Sequence, residues 1–363
     1  MRAHSLRRSP APASSRLPNR APAALPAARP VTLALALAAL LAPCAPAQAE
    51  GTRYPLEIDN CGHPLRFDGP PGNVVSIGQA TTEILYALGV ADRMAGTALW
   101  FNDVLPAYRD VDAGVPRIAD NAPGFEAVVN RRPGFVPTMF EWMIGPQGAV
   151  GTRAQFADLG IPAYVMPTDC EAKDNLTGSD GTRSADFDVA TLYRSIEEMA
   201  AIMDRPARGA EIVADLKARA AAAVGRAQAL SLPDASAVVW FSSADLDLDP
   251  FVAGQRGIPA WMMRQLGLRN VVQSDEEWPT VGWETIARAD PSVIVLARMD
   301  RRRFPADDVD KKLAFLASDP VTREMTAVRE GRIVILDAQQ MEASIRVVDG
   351  LETLTAAMQT LAP

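Results

Sequence analysis

One long helical stretch, residues 206–230, constrains the fold of this chain more than any other part of its sequence. Apolar side chains recur within it at three- and four-residue steps and form a narrow stripe rather than an all-round apolar surface. Pro206 suits a first helical turn, and the run Leu232-Pro233-Asp234 ends the helix. At 1.5 Å per residue the helix would span about 37 Å, the length of a small domain. A half-buried helix of this length predicts either a rod between two lobes or an ordinary surface helix of one domain.

The segments on either side of this helix alternate between predicted strands and predicted helices. Before it, strands are predicted at 56–58, 65–67, 73–77, 94–99, 134–138 and 163–166, with helices at 81–88, 125–130, 154–159 and 187–203. After it, strands are predicted at 237–241, 292–297 and 333–336, with helices at 259–266, 283–289, 308–317, 321–328 and 344–358. Residues 177–184 are rich in Gly, Ser and Asp and predict a loop. Such alternation is typical of βα units with mostly parallel sheets.

A short sequence echo supports two related halves. Glu126 stands seven residues before Pro133, and Glu284 stands seven residues before Pro291, each time followed by a strand. Chance repetition of a common helix–loop–strand unit is the alternative, but the two copies lie on opposite sides of the long helix. The sequence therefore predicts an α/β protein in which two Rossmann-like lobes with mostly parallel sheets are joined by one long α-helix. The predicted segments are an N-terminal lobe at 50–205, an interlobe helix at 206–230 and a C-terminal lobe at 231–363.

The first 49 residues differ in composition from the rest of the chain. They contain six arginines and no acidic residue, then an apolar run at 31–42 and the small residues Ala47-Gln48-Ala49. This order predicts a secretory signal peptide over residues 1–49 and a periplasmic protein. The apolar run is too short to span a bilayer. Cys44 leaves lipidation open, although the preceding Pro43 fits a lipoprotein signal poorly.

The charge of the predicted mature chain argues against a nucleic-acid partner. Removing the six arginines of the signal would change the formal net charge from −8 to −14, whereas nucleic-acid binding requires a basic face. Two cysteines would remain, Cys61 and Cys170. In an oxidising compartment this count suits one disulfide, with two buried free thiols as the alternative.

Catalytic signatures are missing from the mature sequence. Its one histidine is His63, and neither a Gly-x-Ser-x-Gly elbow nor a phosphate-binding glycine loop occurs. One histidine and a pair of cysteines are a poor ligand set for zinc or copper. We therefore expect no metal site, no cofactor and no enzymatic activity. A secreted hydrolase that uses carboxylates such as Glu141 and Asp245 is the competing interpretation.

Residues that directly follow predicted strands are candidate cleft walls, because ligands of open α/β sheets bind beyond the carboxyl ends of the strands. Five of the six tryptophans, all but Trp261, fall at such positions. A single tryptophan is more often a core residue, but five at strand ends favour a bulky, partly planar ligand. The arginines of 298–303 indicate an anionic ligand group, with a solvated loop as the alternative. The candidate ligand-binding residues are Gln79, Trp100, Glu141, Trp142, Trp240, Ser242, Trp278, Arg298 and Arg346.

The order of these features resembles the helix-linked periplasmic binding proteins for uptake of iron–siderophore, haem and cobalamin. Residues 74–89 (VVSIGQATTEILYALG) resemble the opening strand and helix of that family, and residues 125–133 its second helix and strand. Residues 278–284 (WPTVGWE), with 291–295, resemble its second lobe. The likeness covers about residues 54–360. It implies a solute-binding protein of an ABC importer, acting as a monomer, that captures an iron–siderophore or related metal chelate and delivers it to an inner-membrane permease.

The resemblance leaves the ligand itself open. Asn60-Cys61-Gly62, together with Cys170, also resembles a branch proposed to carry the precursor of a deazaflavin cofactor. A binding protein for such a precursor is therefore the alternative within the same family.

The resemblance also implies a docking contact with the permease. In the family one surface glutamate on each lobe docks with permease arginines, and Glu83 occupies the first-lobe position. Arg256 stands where the second acid is expected. Because Arg256 has the opposite charge, the docking contact of the second lobe is either absent or made by Asp247 or Asp249 instead.

Overall fold

Short strands alternate with helices along the chain, as the sequence pattern predicts. The computed structural model describes residues 51–178, 180–230, 232 and 234–359. The predicted signal peptide, residues 1–49, lies outside these residues. Within the described ranges, no helix is both long and apolar enough to cross a membrane.

The first half of the chain supplies the strands β1 (Leu56–Asn60), β2 (His63–Phe67), β3 (Val74–Ile77), β4 (Met94–Ala98), β5 (Arg117–Ala119), β6 (Val136–Thr138), β7 (Ala163–Val165), β8 (Lys173–Asp174) and β9 (Thr182–Arg183). Its helices are α1 (Gln79–Ala87), α2 (Arg109–Asp112), α3 (Phe125–Val129), α4 (Arg153–Asp158) and α5 (Ala190–Ile202), and the long helix is α6 (Pro206–Gln228).

The second half supplies the strands β10 (Ser236–Ser242), β11 (Phe251–Val252), β12 (Arg269–Asn270), β13 (Val293–Arg298) and β14 (Ile333–Asp337). Its helices are α7 (Ile258–Gln265), α8 (Trp283–Ala289), α9 (Val309–Ser318), α10 (Thr326–Arg329) and α11 (Val347–Met358).

Strand β3 forms the centre of a parallel five-stranded sheet with the order β5-β4-β3-β6-β7. All four of its residues are buried, as expected for a central strand of a parallel sheet. Ile77 at its end pairs with Ala98 of β4 on one side and with Thr138 of β6 on the other. The connection order therefore reverses between β3 and β6, which is where open α/β sheets bind ligands.

The second sheet has the order β11-β10-β13-β14, with β12 also paired to β10. Within this sheet the described strands β10, β12, β13 and β14 run parallel, whereas β11 pairs with β10 in the antiparallel direction. Trp240 of β10 lies opposite Leu296 of β13 at the reversal point of this sheet. The two sheets confirm the predicted class, an α/β fold with two Rossmann-like lobes joined by a long helix.

The long helix α6 packs against both halves. Gly209 lies against α5, where an added Cβ would come within 2.5 Å of the Cβ of Ala200. Arg219 makes ion pairs with Asp349 and Glu352 of α11. The buried stripe of α6 consists of Gly209, Ile212, Val213, Leu216, Ala223 and Ala227. The exact limits of the lobes on either side of α6 stay predictions.

The predicted disulfide joins Cys61 and Cys170, with an S–S distance of 2.02 Å. It links the β1–β2 hairpin to the turn that follows β7. One buried apolar cluster extends from Phe67 to Met358 and draws on both halves. A second cluster, around Trp240, lies in the C-terminal half.

Several element boundaries differ from the sequence prediction. Helix α5 begins at Ala190 rather than at 187, because the Asp188 carboxylate accepts the N–H of Ala190 at 2.9 Å in a local turn. Helix α11 begins at Val347 rather than at 344, and there the Ser344 hydroxyl accepts the N–H of Arg346 at 3.2 Å. The sequence analysis missed strands β5, β8, β9, β11 and β12, because strands of two or three residues are too short to show an alternating pattern.

Candidate ligand cleft

A cleft of about 450 Å³ opens beyond the carboxyl ends of the strands, with residues of both lobes around it. Its N-terminal wall consists of Leu99, Phe101, Asn121, Ala122, Trp142, Gln147, Asn175 and Asp180. Its C-terminal wall comes from the loop after β13 and consists of Met299, Arg301 and Arg303. Aromatic and amide groups on one wall are thus combined with guanidinium groups on the other.

The position of the Trp142 indole is fixed by contacts on the side away from the cleft. It stacks on Phe140, with ring centroids 5.8 Å apart and planes 19° from parallel. The backbone N–H of Glu141 donates to the Asp169 carboxylate at 2.6 Å. The Asn175 amide donates to Glu141 Oε2 at 2.8 Å. These contacts fix a turn that leaves Trp142 partly exposed at the cleft.

The opposite wall carries the positive charge of the cleft. The Arg301 guanidinium lies 5.3 Å from the centroid of the Phe101 ring. It also donates to the backbone carbonyl of Trp100 and to Asn121 Oδ1. Burial lowers the pKa of Arg301, but an arginine starts so far above neutral pH that it stays charged. Arg303 lines the cleft beside it.

Backbone and side-chain hydrogen bonds tie the two lobes together at one end of the cleft. The N–H groups of Asp300 and Arg301 donate to the carbonyl of Phe101, at 3.0 and 3.1 Å. The Asp300 carboxylate in turn accepts from Asn102 at 3.3 Å and from the N–H of Asp103 at 2.9 Å. These hydrogen bonds hold the two lobes in contact at this end of the cleft.

The β8–β9 hairpin ties the lobes at a second point. The N–H of Glu277 donates to the carbonyl of Gly181 at 2.9 Å, and the N–H of Arg183 donates to the carbonyl of Asp275 at 3.0 Å. The buried side chains of Arg183 and Glu277 also form an ion pair. Strand β9 of this hairpin lies in the stretch 177–184 that the sequence predicts as a loop, whereas β8 precedes that stretch.

A small buried chamber lies next to the cleft, with room for about one water molecule. Asp180 borders both spaces. We call this space the chamber. Its lining consists of Met139, Phe140, Thr168, Asp169, Lys173, Asp180, Arg183, Ile258, Glu277, Trp278, Glu342 and Ala343.

The chamber concentrates ionisable groups. Lys173 pairs with Asp169 at 2.6 Å, which leaves Asp180 and Glu342 as carboxyl groups without a dedicated cation. Loss of hydration raises the pKa of Asp180 to about 7. Burial raises the pKa of Glu342 well above its usual range, and the neighbouring carboxyl groups add to this.

The tryptophans predicted as stacking walls lie in different environments. Trp142 is partly exposed, whereas Trp100 is 1% and Trp240 is 0% exposed. The ring of Trp240 packs inside the C-terminal lobe against Trp283 and Phe315, with centroids 4.8 and 5.9 Å away. Trp100 and Trp240 are therefore core residues here and not cleft walls.

Three other predicted residues meet in a contact between the lobes. Glu83 is 0% and Arg346 is 4% exposed, and Arg346 Nε donates to Glu83 Oε2 at 2.7 Å. Gln79 accepts the N–H groups of Phe101 and Asn102 at 3.1 and 3.0 Å. Glu83 is therefore buried and paired in this structure, which differs from the surface position that the resemblance implies, and its role in docking stays a prediction.

The remaining predicted residues are distributed around the cleft. Glu141 lies behind the Trp142 wall, and Trp278 lines the chamber at 5% exposure. Ser242 is buried and donates to Asp307 at 2.6 Å, so its hydroxyl serves the fold. The side chain of Arg298 is 52% exposed and pairs with an acidic neighbour outside the cleft lining.

Several cleft residues were missing from the candidate set. Arg301 and Arg303 belong to the arginines of 298–303 that the sequence analysis singled out. Whether their side chains face the cleft depends on the conformation of the loop after β13, which the sequence does not define. The amide residues Asn121, Gln147 and Asn175 belong to no recognisable motif, so no sequence signal identifies them. Among the described residues no cluster of three or more His, Cys, Asp or Glu suits a metal ion. The omitted aromatic, polar and charged residues are Phe101, Asn121, Gln147, Asn175, Asp180, Arg301 and Arg303.

Comparison with known proteins places this architecture in a family. An uncharacterised ABC transporter substrate-binding lipoprotein of Bacillus subtilis (strain 168), YvrC, is 23% identical over 303 residues, 83% of this chain and 84% of the relative. A periplasmic binding protein from Veillonella parvula superimposes with a TM-score of 0.70 at 22% identity, covering 84% of this chain and 97% of the other. An ABC-type Fe3+-hydroxamate transport protein from Saccharomonospora viridis gives a TM-score of 0.66 at 25% identity, covering 84% and 99%. The sequence model of the periplasmic binding protein family matches residues 74–340, well over half of the chain, and the chain therefore belongs to that family.

Proposed function

We propose that this protein is the solute-binding component of an ABC importer and that it binds an iron–siderophore or related metal chelate in the cleft. The composition of the cleft carries the proposal, because the Trp142 indole on one wall is combined with Arg301 and Arg303 on the other. An aromatic face suits a bulky, partly planar ligand. Guanidinium groups suit the anionic oxygens that such chelates present.

The relatives support transport rather than catalysis. YvrC is described as an ABC transporter substrate-binding lipoprotein, and the Saccharomonospora viridis protein belongs to an Fe3+-hydroxamate transport system. These are binding proteins and not enzymes. The two carboxylates named for the hydrolase interpretation lie in different environments. Glu141 accepts a hydrogen bond from Asn175, whereas Asp245 is exposed.

We propose the periplasm as the location, a single copy as the working unit and an inner-membrane ABC permease as the partner. Helix α6 would resist large bending because it packs against α5 and α11. Opening and closing of the cleft should then be a small motion.

The proposal is tested by tryptophan fluorescence of the chain from residue 50 onward. The probe is the gallium(III) complex of a linear trihydroxamate siderophore, which does not absorb tryptophan emission, so quenching reports contact. Haemin, cobalamin and a ferric catecholate complete the panel. We expect a saturable 1:1 change with at least one chelate. No saturable change with any of them would contradict the proposal.

Matched variants locate the binding in the cleft. Trp142→Phe should remove most of the fluorescence change on binding, whereas Trp283→Phe, a buried residue of the other lobe, should retain it. Arg301→Gln with Arg303→Gln should weaken binding about tenfold or more, as expected for loss of charge-assisted hydrogen bonds. Unchanged affinity in the arginine variant would place the ligand elsewhere.

A deazaflavin-type precursor remains the second candidate ligand. The planar aromatic ring of such a molecule would suit the Trp142 face, and its anionic groups would suit the same arginines. Binding of a deazaflavin phosphodiester without any bound metal chelate would favour this alternative.

A further inference from the structure

A buried carboxyl group in the chamber has no partner. Glu342 is 7% exposed, and its carboxyl group lines the chamber. Within the described part of the chain its side chain forms no hydrogen bond or ion pair, and it is affected by burial and by the charges of Asp180, Glu277, Lys173 and Asp169. A buried polar group of this kind costs free energy unless something hydrogen-bonds to it.

The chamber has an excess of negative charge. Four acidic residues, Asp169, Asp180, Glu277 and Glu342, line it together with the two cationic residues Lys173 and Arg183. Both cations are already engaged in ion pairs. The unpaired carboxyl groups therefore hold protons, as their raised pKa values indicate, or they are balanced by a cation that enters from the cleft.

The size and lining of the chamber define such a cation. Its volume of about 10 Å³ admits one water-sized group, and a primary ammonium group has about that size. A guanidinium or a quaternary ammonium is too large. The aromatic residues Phe140 and Trp278 also line the chamber, and aromatic rings can attract ammonium groups.

We propose that the chamber is a subsite for a primary ammonium group carried by the bound ligand, with Glu342 and Asp180 as its acceptors. The proposal rests on the proposed function for the rest of the ligand. Asp180 borders both the cleft and the chamber, so a ligand held by Arg301 and Arg303 would place a short amine arm beside Asp180. The preferred ligand is then a chelate that has anionic oxygens at one end and a free amine at the other.

The first test addresses the chamber without any chelate. Thermal unfolding of the chain from residue 50 onward is measured at pH 8 with 100 mM methylammonium chloride or 100 mM tetramethylammonium chloride. We expect methylammonium to raise Tm above the tetramethylammonium sample, and Glu342→Gln and Asp180→Asn to abolish the difference. Equal Tm values in the two salts, or a difference that persists in Glu342→Gln, would overturn the subsite.

The second test separates the subsite from the proposed function. Affinities are compared for a linear ferric trihydroxamate with a terminal amine and for the same chelate with that amine acetylated. We expect the free amine to bind at least about tenfold tighter, and Glu342→Gln to remove that preference. Equal binding of the two chelates would overturn the subsite and leave the proposed function intact. A methylammonium effect without binding of either chelate would support the subsite and contradict the trihydroxamate ligand.

Discussion

Replacing Arg346 by Leu should destabilise the protein strongly, because it leaves a buried carboxylate without its cation. Glu83 is 0% exposed and accepts two hydrogen bonds from Arg346. After the substitution it keeps only the N–H of Leu105 at 3.1 Å and the amide of Gln79 at 3.2 Å. Breaking a buried pair on one side costs about 3–5 kcal/mol. Because two donors still hydrogen-bond to Glu83, we expect a loss of unfolding free energy near the lower end of this range, about 3 kcal/mol.

Urea unfolding followed by far-UV circular dichroism at pH 7.5 measures this loss. The matched control is Arg66→Leu, which breaks an exposed ion pair. The side chain of Arg66 is 55% exposed and that of its partner Glu57 is 73% exposed. It should cost no more than about 1 kcal/mol. Adding Glu83→Gln to Arg346→Leu should restore part of the stability, since no buried charge then remains. A loss below about 1 kcal/mol in Arg346→Leu would refute the reasoning, as would a double variant less stable than the single one.

Three further predictions concern the disulfide, the chamber and the long helix. Reducing Cys61–Cys170, which closes a separation of 109 residues, should lower the unfolding free energy by about 2–4 kcal/mol; an unchanged urea midpoint with reductant would contradict this. The pKa of Asp180 is raised to about 7, so its stabilising contribution is complete below about pH 4 and is lost as the pH rises through 7. Relative to Asp180→Asn, the wild type should lose at most about 1.4 kcal/mol of unfolding free energy per pH unit between about pH 4 and 7. Parallel stability–pH curves for the two proteins would contradict this contribution of Asp180. In α6, Gly225→Ala has free space and should stabilise the protein by about 0.5–1 kcal/mol, whereas Gly209→Ala meets Ala200 and should destabilise it; equal thermal midpoints would contradict the packing of α6 on α5.

The fold class could be predicted from the sequence because its signals are local. The spacing of apolar residues in 206–230 defines α6, and apolar runs such as Val74–Ile77 define the central strands. Two cysteines in a predicted exported chain leave one intramolecular pairing, and the Cys61–Cys170 disulfide forms. Short strands such as β8 and β9 depend on their partners, so the sequence showed only a loop there.

The candidate site was harder to predict, because position at a strand end does not fix the direction of a side chain. Trp142 follows β6 and reaches the cleft, whereas Trp240 lies within β10 and packs into its own lobe. Glu83 lies on α1, and all nine residues of that helix are buried. Its partner Arg346 is 263 residues away, and no local pattern reveals such a contact. The chamber likewise combines residues from β8, β9 and the loop before α11.

The most direct test of the central claim is native mass spectrometry of the protein purified from the cells that produce it, with its ligand retained. The account predicts a 1:1 complex with one small molecule that carries a metal ion, and it predicts that the molecule is lost from a variant combining Trp142→Ala, Arg301→Gln and Arg303→Gln. Retention of the same molecule by that folded variant would contradict the account, because the ligand would then lie outside the cleft.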